Sequence, residues 1–147
     1  MNGVKGRVLA VDPGEKRLGI AVSDPSGTIA NPLTVLKHVS RLVDAASIAA
    51  LAQDHDAVLI VIGQSLDEEG QPTVQGRSAA RLAEAVRLQC SQPVVLWDEA
   101  GSTREALHAH IALGGSSRAR RQRGHGHLDD LAATVILQSY LEAYLDR

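Results

Sequence analysis

The chain has 147 residues, 44% apolar and 22% charged, with one Trp, two Tyr and no Phe; this fits one domain over residues 1–147 with an aliphatic core and excludes disorder throughout. A formal net charge of -2 excludes a uniformly basic nucleic-acid coat but leaves room for a local basic patch. The lone Cys90 excludes an intrachain disulfide, and apolar runs as short as "AVLIVI" (Ala57–Ile62) exclude a bilayer-crossing helix, so a reducing, cytoplasmic setting without a membrane partner is expected.

In chain order, Arg7–Val11 and Leu18–Val22 read as strands joined by a Gly-bearing turn. A third strand is expected between Thr28 and Leu36, at an edge or with a bulge because Asn31-Pro32 interrupts it. Three neighbouring strands imply an antiparallel start. Ser40 then caps a helix to about Gln53, with Leu42, Ala45, Ala46, Ala49 and Ala52 as its apolar face. "AVLIVIG" lacks alternation, as a parallel strand covered on both faces requires. A second helix is predicted over Thr73–Gln89, with Val74, Ala79, Leu82, Val86 and Leu88 apolar, and "PVVLWDEA" reads as a strand ending in two acids. Two strand-helix-strand passages imply a parallel half sheet with right-handed crossovers. A third helix is expected from about Thr103 to Leu113, then an aperiodic loop over Gly114–Gly126. The last helix carries Leu128, Leu131, Ala132, Val135, Ile136 and Tyr140 at helical spacings, with Asp129 and Asp130 in or before its first turn.

The acids are placed suggestively. Asp12 ends the first strand, Asp98 and Glu99 end a later one, and Asp129 with Asp130 opens the final helix. In an α/β sheet, ligands gather beyond the carboxyl ends of the strands. Converging carboxylates offer hard oxygen donors for Mg²⁺ or Mn²⁺, and a metal pair can activate water against a phosphodiester. Taken alone, an acid beside a strand end or helix cap is more often structural or solvent-facing. Adjacent strand residues face opposite sides, so one of Asp98 and Glu99 enters such a centre; Glu99 is the choice, with Asp98 flanking it.

Other polar residues are candidates for substrate contact. Lys16 and Arg17 occupy the first turn, where they either face phosphate or solvate the turn. Arg118, Arg120, Arg121 and Arg123 crowd a segment without an acid, which suits a phosphate backbone. His125 and His127 adjoin that segment, without a third residue to complete a zinc spacing. Gly63, Gln64 and Ser65 end the middle strand, Arg77 follows on the next helix, and Trp97 is read as a core aromatic. No P-loop or dinucleotide-binding glycine pattern is present.

Taken in order, "VDPGEKRLGIAVSD", "VLIVIG", "DEAGST" and "HLDDLAATVILQSYL" resemble the YqgF-like family of pre-16S ribosomal RNA nucleases, related in fold to Holliday-junction resolvases. The resemblance covers nearly the whole chain. It implies an α/β, RNase H-like fold: a mixed five-stranded sheet, its first three strands antiparallel, flanked by helices. By motif position it implies Asp12, Glu99 and Asp129 as catalytic metal ligands, with Asp98 and Asp130 beside them. The implied activity is Mg²⁺- or Mn²⁺-dependent endonucleolytic hydrolysis, acting on the 5′ end of pre-16S rRNA or on a pre-ribosomal particle. Alternatives are resolution of branched DNA and a non-catalytic RNA-binding role in ribosome assembly. The chain departs from the family's pattern at Ala100-Gly101, where an Arg and an apolar residue are common, and at Gln64-Ser65, where Leu-Pro is common.

Overall fold

The structure, a computed structural model, describes residues 5–99 and 127–145, with side chains described for 5–99 and 131–144. Five strands form one sheet in the order β3-β2-β1-β4-β5: β1 (Arg7–Pro13), β2 (Arg17–Ser23), β3 (Ala30–Lys37), β4 (Ala57–Gln64) and β5 (Val94–Asp98). β1, β2 and β3 pair antiparallel, whereas β1, β4 and β5 pair parallel. The mixed sheet expected from the pattern is therefore present. Asn31-Pro32 lies in edge strand β3, and the β2–β3 register slips between Ile20 and Ala21. Both consequences of the interrupting proline are realised, because Pro cannot donate to a central ladder.

Three helices cover the described sheet: α1 (Arg41–Asp54), α2 (Val74–Arg87) and α3 (His127–Leu145). Residues at alternate positions of β1 divide between two cores. Leu9 and Val11 join Ile20, Ile60 and Ile62 beneath α1 and α2. Val8 and Ala10 join Ala21 and Val61 beneath Ile136, Leu137, Tyr140 and Leu141 of α3. This two-sided cover explains why β1 and β4 read as continuous apolar runs.

The expected Ser40 cap forms, its hydroxyl accepting from Val43 N at 3.2 Å; Thr73, expected as the first residue of the second helix, is its cap, its hydroxyl accepting from Gly76 N at 3.1 Å. The helix faces differ from those expected. Leu42 is 70% exposed, and α1 buries Ala45, Ile48 and Ala52 together with Asp44. Asp44 turns inward because its carboxylate accepts from Val39 N at 3.0 Å and bonds His38 Nδ1, tying β3 to α1. On α2, Val74 and Leu88 are 71% and 88% exposed, while Ala79, Leu82, Ala83 and Val86 pack inward. The helix predicted over 103–113 and the arginine-rich loop lie outside the described residues. Among the described residues no helix is long and apolar enough to cross a membrane.

Candidate active site

The carboxyl ends of β1, β4 and β5 lie side by side, and their last residues supply the site. Alternation places Asp12 on the same face as Val8 and Ala10, the face that α3 covers. On β4, Gly63 follows Val61 on that face, and its partner on β5 is Trp97. Trp97 docks on α3: its indole Nε1 donates to Ser139 Oγ at 3.2 Å, and its ring meets Tyr140 edge-on at 5.0 Å between centroids. Glu99 comes two residues later, held near α3 by that anchor.

Asp12 and Glu99 meet, their carboxyl groups joined by a hydrogen bond. Burial pushes the Glu99 carboxyl above its ordinary range; the bond to Asp12 pulls it down, and the charge of Asp98 pushes it up again. Asp98 pairs in register with Gln64 and is exposed. Of the two adjacent acids, Glu99 is the one that reaches Asp12.

Gly63 forms the floor beneath this pair. A Cβ there would lie 2.7 Å from Ile136 Cδ1 and 3.1 Å from Glu99 Oε2. Its role beneath the acids is not evident from the sequence, where a glycine at a strand end reads as an exit from the sheet. The available signal is its position: a glycine closing a buried strand also marks close approach by another group. Gly63→Ala is expected to lower stability by roughly 1–3 kcal/mol through overpacking against buried Ile136, and to displace the Glu99 carboxyl. Thermal unfolding and turnover of the purified variant check both effects.

The remaining candidates are spread around this point. Lys16 and Arg17 are exposed on the β1–β2 turn, just beyond Asp12. The Gln64 amide donates to Gly76 O at 3.1 Å, holding the start of α2. Arg77 is exposed, and its guanidinium donates to Pro72 O at 3.2 Å. Asp129 and Asp130 lie in the first turn of α3, about two helical turns before Ile136. The side chains of His127, Asp129 and Asp130 lie outside the described ones, as do Arg118, Arg120, Arg121, Arg123 and His125 entirely.

Two hydrogen-bonded carboxyl groups fit a divalent cation by their chemistry. They are hard oxygen donors, and they repel one another when both are ionised unless a positive charge sits between them. Asp12 and Glu99 supply this pair; among the described residues no third acid, His or Cys completes a metal-binding group.

Comparison with known proteins agrees with the architecture. A Thermoanaerobacter pseudethanolicus protein named "Putative pre-16S rRNA nuclease" is 36% identical, over 93% of this chain and 96% of its own. A Syntrophus aciditrophicus protein of the same name is 39% identical, over 93% and 89%. Among solved structures, the fowlpox virus Holliday junction resolvase matches with a TM-score of 0.60 at 15% identity, over 93% of this chain and 99% of that one. T. thermophilus RuvC in complex with a Holliday junction substrate matches with a TM-score of 0.58 at 16% identity, over 94% and 95%. These structural likenesses show an RNase H-like fold. The chain belongs to the RuvX family, whose model, described as Holliday junction resolvase, matches residues 6–143.

Proposed function

We propose that the protein is a divalent-metal-dependent endonuclease of the cytoplasm that hydrolyses phosphodiesters near the 5′ end of pre-16S rRNA. The observation that carries this reading is the hydrogen-bonded pair Asp12 and Glu99, partly withdrawn from water at the carboxyl edge of the sheet. Asp12, Glu99 and Asp129 would hold Mg²⁺ or Mn²⁺, with Asp98 and Asp130 flanking them. When bound, such a cation supplies positive charge that favours a deprotonated water and offsets negative charge gathering on phosphate.

The chain's own residues prepare that chemistry. Glu99 must be ionised to serve a cation, and burial raises its titration, so activity is expected to rise with pH through that raised value. Gly63 leaves the space that the Glu99 carboxyl occupies, and Trp97 fixes the end of β5 against α3. Lys16, Arg17 and the arginines at 118, 120, 121 and 123 would grip flanking phosphates through charge-assisted hydrogen bonds.

The RNA assignment draws support from the names of the relatives; branched DNA draws support from the family description and the resolvase neighbours. The deciding experiment offers end-labelled precursor 16S rRNA and a four-way DNA junction in parallel, with and without Mn²⁺. Metal-dependent cutting of the precursor at a defined position is expected. Cutting of the junction alone would move the substrate to DNA. RNA binding without any product would leave a binding role in ribosome assembly and overturn the nuclease.

A further inference from the structure

The β1–β2 turn carries more positive charge than the turn needs. Arg17 lies directly opposite Lys37 in the β2–β3 register, so two like charges share one face at the end of an edge strand. Like charges directly opposite destabilise a sheet. Neither has an ion-pair partner among the described residues, nor do Lys16 and Arg41. The same face carries Asp12: Asp12 pairs with Gly19, and Arg17 is two residues earlier on β2, toward the hairpin tip. The cluster thus begins roughly 7 Å along the strand from the register position of Asp12.

Two concavities adjoin the turn. One, of about 590 Å³, is lined by Lys16, Arg17, Lys37 and His38 with Glu15. The other, of about 260 Å³, lies on the α1–α2 side of the hairpin, where Leu18, His38, Ser40, Arg41, Asp44 and Leu82 are among its lining. His38 borders both, and its backbone N–H donates to Lys16 O at 2.9 Å, so the end of β3 is fastened to the turn. The Asp44 carboxylate is engaged by His38 and Val39 N. Glu15 is the remaining acid in this lining. The balance is positive, and its bearers sit on a braced hairpin.

We propose that Lys37 and Arg41, together with Lys16 and Arg17, form a second phosphate-binding surface that holds the nucleic-acid backbone beyond the carboxylate pair, around the hairpin tip and toward the start of α1. The proposal rests on the nucleic-acid reading above and adds Lys37 and Arg41 to it. A polyanion relieves the Arg17–Lys37 repulsion, which the protein alone leaves uncompensated among its described residues. Contacts of this kind are sequence-independent and weaken as salt rises.

The test measures binding of a fluorescein-labelled RNA duplex by anisotropy over a range of salt concentrations, in Ca²⁺ to suppress turnover, and separately measures cleavage in Mn²⁺. For Lys37→Ala/Arg41→Ala the slope of log affinity against log salt is expected to become shallower by about two, one unit per lost phosphate contact. Lys5→Ala, at the opposite end of β1, should leave the slope unchanged. Because Lys37 opposes Arg17, Lys37→Ala should unfold no more readily than the parent protein. An unchanged slope in the double variant, or a wild-type protein that does not bind the duplex, overturns this surface. Cleavage with an unchanged slope would reject the surface and keep the nuclease; a shallower slope without cleavage would do the reverse.

Discussion

Glu99→Gln is expected to cost activity on the order of a hundredfold or more, and also to raise the thermal stability of the metal-free protein at neutral pH. Both follow from the same contact. Burial and Asp98 favour the protonated carboxyl of Glu99, so the folded state holds that proton more tightly than the unfolded chain does. Stability contributed by protonation is therefore present at low pH and falls as pH rises from the unfolded value of Glu99 through its raised folded value. Glutamine keeps a donor for Asp12 and carries no charge to desolvate. It also cannot offer a second anionic oxygen to a cation, which removes the activity. Mn²⁺ should raise the melting temperature of the wild-type protein by binding the folded state, and raise that of Glu99→Gln much less. Melting curves with and without Mn²⁺ across the acidic and neutral range read out every part of this expectation.

Gly76→Ala is expected to be the more damaging change to the fold. A Cβ at Gly76 would lie 2.1 Å from the Ser65 carbonyl oxygen and 3.2 Å from Pro72 Cβ. The first neighbour is backbone, and it is already committed: Ser65 O accepts from Thr73 N at 3.1 Å and from the Thr73 hydroxyl at 3.3 Å. The Thr73 hydroxyl in turn caps α2 through Gly76 N, and Gln64 donates to Gly76 O. The collision cannot be relieved without pulling α2 away from the end of β4. A loss of about 3 kcal/mol is expected, at the upper end of overpacking costs, or roughly 6–12 °C in melting temperature for a chain of this size. Gln64→Ala should cost less, about 1 kcal/mol for one hydrogen bond. Thermal unfolding of the two variants distinguishes these magnitudes.

Much of the framework is legible because local and tertiary preferences coincide. The unbroken apolar run at Ala57–Gly63 requires cover on both faces, and Ser40 caps the helix it precedes. Asn31-Pro32 announces an edge, and β3 is one. Asp12 and Glu99 are legible as strand-end acids; alternation implies that one of Asp98 and Glu99 faces the site, and the docking of Trp97 on α3 shows which face that is. The helix faces are less legible. Asp44 looks like a surface residue of α1 until its two partners at the end of β3 are known. Its inward turn sets which stripe of α1 meets the sheet, leaving Leu42 exposed. Gln64 resists reading for a similar reason: its role depends on a carbonyl twelve residues away. Gly63 and Gly76 are informative only when the atom occupying the space of the missing side chain is known, and that atom belongs to another element in each case.

The central claim is that Asp12, Glu99 and Asp129 act as one cation-binding unit. Titration of Mn²⁺ followed by the electron paramagnetic resonance of the free ion tests it directly, using the wild-type protein, Asp12→Asn and Asp129→Asn, each verified as folded by circular dichroism. The wild-type protein should deplete the free-ion signal, and each variant should bind Mn²⁺ at least roughly tenfold more weakly. Undiminished binding by both folded variants, or no binding by the wild-type protein, would contradict the account.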